Sequence, residues 1–141
     1  MQTPLCANVT GFTGQDLAPY QLTIEECPGY LHATVVGSRT AENATRFFRE
    51  VAAACARSGH LAVLLEMRLS GPSLDAGSIF RVISARAPEG SKLQRIAYVE
   101  ASVDDPAMPR FAETVAQNRG VNVRLFPDVA SAARWLSEER S

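Results

Sequence analysis

Alternating apolar and polar residues predict a β-hairpin in the first third of the chain. Apolar side chains recur at every second position from Tyr20 to Cys27 and again from Leu31 to Val36, the period of a strand with one buried face. Pro28 and Gly29 separate the two segments. Because proline presets the first central angle of a type II turn and glycine tolerates the positive φ of the second, we expect the strands to pair antiparallel.

The next segment changes to the period of an amphipathic helix. Its apolar positions, spaced three and four residues apart, are Ala44, Phe47, Phe48, Val51, Ala52 and Cys55. Thr40 precedes them as the predicted N-cap, and Gly59 ends them as the predicted left-handed C-cap. The following segment, Leu61–Met67, is apolar at consecutive positions, which favours a central strand covered on both faces.

Strands and helices continue to alternate toward the C-terminus. Further strands are predicted at Arg95–Glu100 and Val121–Phe126. The three remaining helices have apolar faces formed by Ala76, Ile79, Phe80, Ile83 and Ala87, by Met108, Phe111, Ala112 and Val115, and by Val129, Ala132, Ala133 and Leu136. Asp105, Gly120 and Asp128 stand at the positions where cap and stop residues belong.

The resulting order, β-β-α-β-α-β-α-β-α, predicts an α/β fold with a mixed sheet whose centre is parallel. Since crossovers between parallel strands have one hand, the first three helices should pack back onto the sheet, and the last helix, with Trp135, should close the core. A length of 141 residues suits one core. Residues 20–141 are therefore predicted to form a single domain, after a segment 1–19 that is expected to be a loose leader or a short edge element.

Charge and apolar run length narrow the classes of partner and location. Fourteen Lys and Arg against fifteen Asp and Glu leave a net charge of -1, so nucleic acid is not an expected partner. The longest apolar run, Leu61–Leu65, is too short to span a bilayer, and no signal segment begins the sequence, so a cytoplasmic location is expected. Three widely spaced cysteines, Cys6, Cys27 and Cys55, favour idle thiols over a disulfide framework or a metal knuckle.

Four segments carry a resemblance to a known family. They are YLHATVVGSRTAEN, LAVLLEM, RIAYVEA and VRLFPDVASAARWL, together with the turn MRLSGPSLDAGS. Over residues 20–138 the chain resembles the STAS fold, and more closely the SpoIIAA-like proteins grouped with lipid-carrying CRAL-TRIO-type domains. The resemblance implies a non-catalytic regulatory or protein-interaction module. Its kinship with lipid carriers implies, as the alternative, a carrier or sensor of a small apolar ligand in a pocket between helices and sheet.

One family motif is altered in this chain. STAS proteins that antagonise anti-sigma factors carry an Asp-Ser-Ser-Gly run at the start of the second helix, and its first serine is phosphorylated. Here the run is Asp75-Ala76-Gly77-Ser78, so Ala76 stands at the phosphoacceptor position. The resemblance therefore implies the fold without the phosphoswitch.

The segment after the third strand is the predicted partner or ligand edge. Loops at the carboxyl ends of parallel strands are where open α/β sheets place ligands. The predicted edge residues are Arg39, Thr40, Arg68, Ser70, Ser73, Asp75 and Ser78, with Ser38, Ser102 and Asp104 in neighbouring loops. The start of the second helix has N–H groups that an anion can bind, although a polar turn capped by Ser73 satisfies the same groups without a ligand.

No catalytic, metal or cofactor site is predicted. His32 and His60 have no carboxylate or cysteine companion at a local metal or dyad spacing, and the glycine-bearing segments 11–14 and 71–77 match no phosphate-binding fingerprint. An enzyme would require three or more polar side chains that converge from distant positions. The strand Val121–Phe126 is predicted as a sheet edge that pairs in a homodimer.

Overall fold

The computed structural model describes residues 7–9, 20–100 and 105–138 of the chain. Six strands form one sheet, and four helices pack on it. The strands are β1 (Ala7–Val9), β2 (Tyr20–Cys27), β3 (Tyr30–Ser38), β4 (Ala62–Ser70), β5 (Arg95–Val99) and β6 (Val123–Phe126), and the helices are α1 (Ala41–Ser58), α2 (Ala76–Gly90), α3 (Ala107–Asn118) and α4 (Val129–Ser137). The predicted α/β class and order of elements are confirmed.

The strands lie in the sheet in chain order, from β1 to β6. The first three are antiparallel, and β3 to β6 are parallel. The β2–β3 hairpin closes at the pair Cys27 and Tyr30, with Gly29 at a φ of 89°, as the turn chemistry of Pro28 and Gly29 predicts. β4 lies between β3 and β5, so the predicted central strand is confirmed.

One strand lies inside the segment 1–19. β1 pairs antiparallel with β2, where Ala7 faces Glu26 and Val9 faces Ile24. It extends the sheet at the hairpin edge by three residues. The rest of that segment, with Cys6 and the Gly11–Gly14 run, lies outside the described residues, as do Ser102 and Asp104.

Helices α1, α2 and α3 share one face of the sheet. The Thr40 side chain caps α1 by accepting from the N–H of Asn43 at 3.0 Å, and Gly59 ends the helix at a φ of 78°. The larger core lies beneath these helices, with Phe47, Leu31, Val35 and Val63 among its most buried side chains. The predicted start, end and buried face of α1 are confirmed.

Helix α4 covers the opposite face, which corrects the expectation that it closes the same core. A second cluster forms there from Cys27, Tyr30, Leu64, Ala97, Val99, Ala132 and Leu136, with Trp135 packed against it. Successive side chains of a strand point to opposite faces. Leu64 therefore belongs to the second core although both of its neighbours on β4 belong to the first.

Two further predictions are corrected. Phe80, assigned to the buried face of the second helix, is 46% exposed, with the Arg119 guanidinium 4.6 Å from its ring centre, and Val82 is buried instead. Cys27, expected to be an idle thiol, is disulfide-bonded, whereas Cys55 is a buried free thiol. Among the described helices, none is long and apolar enough to cross a bilayer.

Candidate functional site

A cavity of about 170 Å³ lies between the sheet and the three helices α1, α2 and α3. Its wall is almost wholly apolar and is formed by side chains of the sheet and of all three helices. Phe48 of α1, Met67 of β4, Ile83 of α2 and Met108 of α3 are among the lining residues. The helices pack side by side, so the space between their inner faces and the sheet is the interior of the larger core.

Small side chains account for the space. Ala87 of α2 and Ala112 and Ala116 of α3 line the cavity at positions that the amphipathic period turns inward. Protein interiors usually pack to the density of organic crystals, with few voids larger than a water molecule. An alanine at such a position fills less of the layer between helix and sheet than a leucine would, and three of them on neighbouring helices leave a continuous gap.

The size of the cavity sets the size of what it holds. An engineered protein cavity of about 150 Å³ lined by aliphatic and aromatic side chains stays dry and binds benzene. A cavity of about 170 Å³ therefore accommodates a molecule of about one aromatic ring.

A polar group of three side chains lies at the end of the cavity formed by the carboxyl ends of the strands. Arg39 Nε donates to Glu100 Oε2 at 2.8 Å, and the Tyr98 hydroxyl donates to Glu100 Oε1. The Arg39 and Glu100 side chains are each 6% exposed. All three residues line the cavity.

Arg39 also ties together the loops at this end. Its Nη1 donates to the carbonyl of Gly71, and its Nη2 donates to the carbonyl of Leu69 at 3.1 Å. Its backbone N–H donates to the Ser70 carbonyl at 2.8 Å. Both terminal nitrogens and Nε are thus engaged, which is the condition under which a buried guanidinium is tolerated.

The electrostatics of this end favour one protonation state. Burial raises the pKa of Tyr98 well above its usual value, and the charge of Glu100 beside it raises the pKa further. Tyr98 therefore stays a neutral hydroxyl that donates to the carboxylate. Arg39 and Glu100 carry opposite charges at hydrogen-bonding distance, so the polar end is neutral overall.

The predicted edge residues are only partly brought together. Arg39, Thr40 and Ser73 line the cavity. Asp75, rather than Ser73, caps α2 and accepts from the N–H of Ser78 at 2.7 Å. The carboxylate of Asp75 therefore binds a backbone N–H at the start of its own helix, and this hydrogen bond from Ser78 lowers the pKa of Asp75.

Arg68 lies on the opposite face of the sheet. β4 directs Met67 and Leu69 toward the larger core, so Arg68 and Ser70 point to the other side. The Arg68 side chain is 64% exposed and pairs with Glu66, whose Oε2 lies 2.8 Å from Nη2. The hydroxyl of Ser70 donates to the Gly37 carbonyl at 3.3 Å.

Two histidine contacts escaped the sequence analysis. His32 Nε2 lies 2.8 Å from Glu66 Oε1, and His60 Nε2 lies 2.9 Å from Glu26 Oε2. Each pair is separated by 34 residues, so local spacing did not reveal it. The sequence did offer one indication of the His32 contact. Glu66 is the one charged residue in the apolar segment LAVLLEM, and a charged residue in a buried strand needs a partner.

The described residues contain no group of three or more His, Cys, Asp or Glu side chains placed to hold a metal ion. Comparison with known proteins adds no assignment. No protein-family model matches this chain, and no curated protein matches it.

Proposed function

We propose that this protein is a carrier or sensor of a small apolar ligand, which it binds in the cavity between the sheet and helices α1, α2 and α3. The observation that carries the proposal is the apolar cavity of about 170 Å³. Ligand pockets are concave and mostly apolar, with a small number of placed polar groups. Removing an apolar molecule from water supplies the driving force.

The size of the cavity narrows the ligand class that the family resemblance implied. A single ring or a short branched chain matches the space. Within the proposal, the polar end at Arg39, Tyr98 and Glu100 orients the ligand, and the apolar helix faces bind the rest of it.

Toluene titration followed by two-dimensional NMR tests the proposal. We expect the shifted amide signals to map to α1, α2, α3 and the strands beneath them. The variant Ala87→Leu places a larger side chain in the cavity and is expected to weaken toluene binding roughly tenfold or more. Ala133→Leu is the matched control, because Ala133 packs in the second core on the other face.

Two results would contradict the proposal. The first is an absence of saturable toluene shifts in the unchanged protein. The second is equal toluene affinity in Ala87→Leu and the unchanged protein, provided that both are folded. Native mass spectrometry of freshly purified protein complements the titration, because a ligand that co-purifies adds a discrete mass that unfolding removes.

A regulatory or protein-interaction module of the STAS type is the second candidate function. The hairpin followed by strand–helix units on one sheet is compatible with that family. The observation that favours a docking surface is the part of the outer face around Val36 of β3, since the main contacts of α4 are with β4, β5 and β6. Val36 is 44% exposed there, beside the exposed Arg68.

Charge reversal tests this second candidate. If a protein partner docks on the outer face, Arg68→Glu should abolish its recovery from a native lysate. Arg110→Glu should leave recovery unchanged, because Arg110 is exposed on α3, across the sheet. Equal recovery with both variants would remove the outer face as the docking surface.

The proposal includes no catalytic step, no cofactor and no phosphoswitch, and it keeps a cytoplasmic location as an expectation that cell fractionation tests. The disulfide of Cys27 weighs against that location, since disulfides persist mainly in oxidising compartments.

Homodimerisation through β6 is not proposed. The Val123 carbonyl accepts from Gln117 Nε2, and the Leu125 N–H donates to Glu113 Oε2, so side chains of α3 occupy these backbone groups.

A further inference from the structure

Four of the five charged residues that line the cavity form two ion pairs. Arg39 pairs with Glu100 at 2.8 Å, and Arg86 pairs with Glu89 at 3.2 Å. The fifth is Glu113, whose Oε2 accepts the backbone N–H of Leu125 at 2.9 Å. Among the described lining residues, each cation therefore already has a carboxylate beside it.

We infer that the ligand of this cavity is a neutral molecule, and that organic acids and amines of the same size are excluded. The inference rests on the proposed function and names the chemical class of its ligand. A ligand carboxylate at the polar end would compete with Glu100 for Arg39 and would leave one of the two carboxylates buried without a counter-charge. A ligand ammonium would meet the corresponding penalty at Arg39.

The hydrogen bonds at the polar end strengthen the case against an acid. Arg39 already donates through Nε, Nη1 and Nη2 to Glu100, Gly71 and Leu69. Moving the guanidinium toward a ligand would release the carbonyls of Gly71 and Leu69 and the Glu100 carboxylate together. Burial of a charge without a partner is strongly unfavourable. A ligand hydroxyl needs no such movement, since it can donate to the Tyr98 oxygen, which can accept one more hydrogen bond.

Arg86 and Glu89 also form an ion pair in the cavity wall, but their hydrogen bonding is less complete than that of Arg39. Arg86 Nε and Glu89 Oε1 are shielded from solvent and have no hydrogen-bond partner within the described part of the chain. One atom belongs to a cation and the other to an anion, so the pair adds no net charge to the wall. The described partner of the Glu113 carboxylate is the backbone N–H of Leu125 rather than a cation, so its negative charge disfavours an anion further.

Four ring compounds that differ mainly in charge test the inference on the unchanged protein at pH 7. They are toluene, benzyl alcohol, benzoate and benzylamine, titrated by NMR or calorimetry. We expect toluene and benzyl alcohol to bind, and benzoate and benzylamine to bind at least about tenfold more weakly than benzyl alcohol. Benzoate should be the weakest of the four.

A variant pair identifies the groups responsible. Glu100→Gln removes the carboxylate beside Arg39 while keeping the size of the side chain, and it is expected to narrow the ratio of benzyl alcohol to benzoate affinity several-fold. Glu66→Gln is the matched control, because Glu66 lies on the outer face of the sheet and should leave the ratio unchanged.

The outcomes separate the inference from the proposed function. Binding of benzoate as tight as that of benzyl alcohol would overturn the inference and leave the cavity as a ligand site. Failure of all four compounds to bind would overturn the proposed function, and the inference with it. The four-compound comparison needs no variant, so it remains decisive even if Glu100→Gln does not fold.

Discussion

His32 of β3 contacts Glu66 of the adjacent parallel strand β4 diagonally, two residues out of register, with 2.8 Å between Nε2 and Oε1. Arg68 Nε donates to the other carboxylate oxygen at 2.9 Å, and the Thr34 hydroxyl donates to Oε1 at 3.4 Å. The Glu66 side chain is 13% exposed. Burial by itself raises the pKa of Glu66, but the hydrogen bonds from His32 and Arg68 outweigh it, and the pKa lies below its usual value.

Glu66 therefore makes stability depend on pH. A folded-state pKa below the unfolded value of about 4.3 means that folding favours the ionised form. The contribution is complete above that unfolded value and is lost as pH falls through the lower folded value. Glu66→Gln should lower the free energy of unfolding by about 1 to 2 kcal/mol at pH 7.

Chemical denaturation at several pH values checks this prediction. The difference between the unchanged protein and Glu66→Gln should shrink as the pH drops below about 4. Glu138→Gln is the control, because Glu138 is exposed beyond the end of α4, and it should have little effect at any pH. A difference that stays constant down to pH 2 would show that Glu66 ionisation does not stabilise the fold.

The buried pair of Arg39 and Glu100 yields a second prediction. Glu100→Leu leaves the guanidinium without its counter-charge and should cost about 3 to 5 kcal/mol. The double variant Arg39→Met with Glu100→Leu removes both charges and is expected to cost less than the single variant. Urea unfolding of both variants measures the difference. Additive losses in the double variant would mean that the two residues act independently.

A third prediction concerns the sheet edge at β6. Glu113 and Gln117 bind the Leu125 N–H and the Val123 carbonyl, so the double variant Glu113→Ala with Gln117→Ala should expose an edge that pairs between molecules. Analytical ultracentrifugation is expected to show self-association that rises with concentration. The control variant Arg110→Ala changes an exposed residue on the same helix, and its self-association should equal that of the unchanged protein. A monomeric double variant would show that these side chains do not protect the edge.

Thiol labelling gives a fourth prediction. Burial raises the pKa of the Cys55 thiol to about 11, so at pH 8 the thiol stays protonated and shielded from reagent. Iodoacetamide should leave Cys55 unmodified in the folded protein and modify it once urea unfolds the chain. Cys27 should be modified only after reduction, since it is disulfide-bonded. Rapid labelling of Cys55 under native conditions would contradict its burial.

The sequence predicted what local signals determine. The turn at Pro28 and Gly29, the cap at Thr40 and the consecutive apolar run of the central strand each act within a few residues, and each is confirmed. Fold class followed from the order of these elements. The face of the sheet on which α4 packs was not predicted. The apolar stripe of an amphipathic helix fits either face of a sheet that is buried on both faces.

The candidate site lay largely beyond local reasoning. Arg39 was singled out as an edge residue, but its partner Glu100 is 61 residues away, and neither position signals a pair by spacing. The cavity depends on where the alanines of α2 and α3 meet in space. Periodicity places Ala87 and Ala112 on inner faces, yet it does not reveal whether a neighbouring side chain fills the gap.

The gap beneath α1, α2 and α3 also bears on how the protein responds to hydrostatic pressure. Unfolding eliminates internal voids, so the unfolded chain with its hydration water occupies less volume than the folded one. The face that holds the cavity should therefore yield before the layer under α4 when pressure rises. A molecule seated in the gap would oppose that collapse, so compression offers a readout of occupancy that needs no knowledge of what the molecule is.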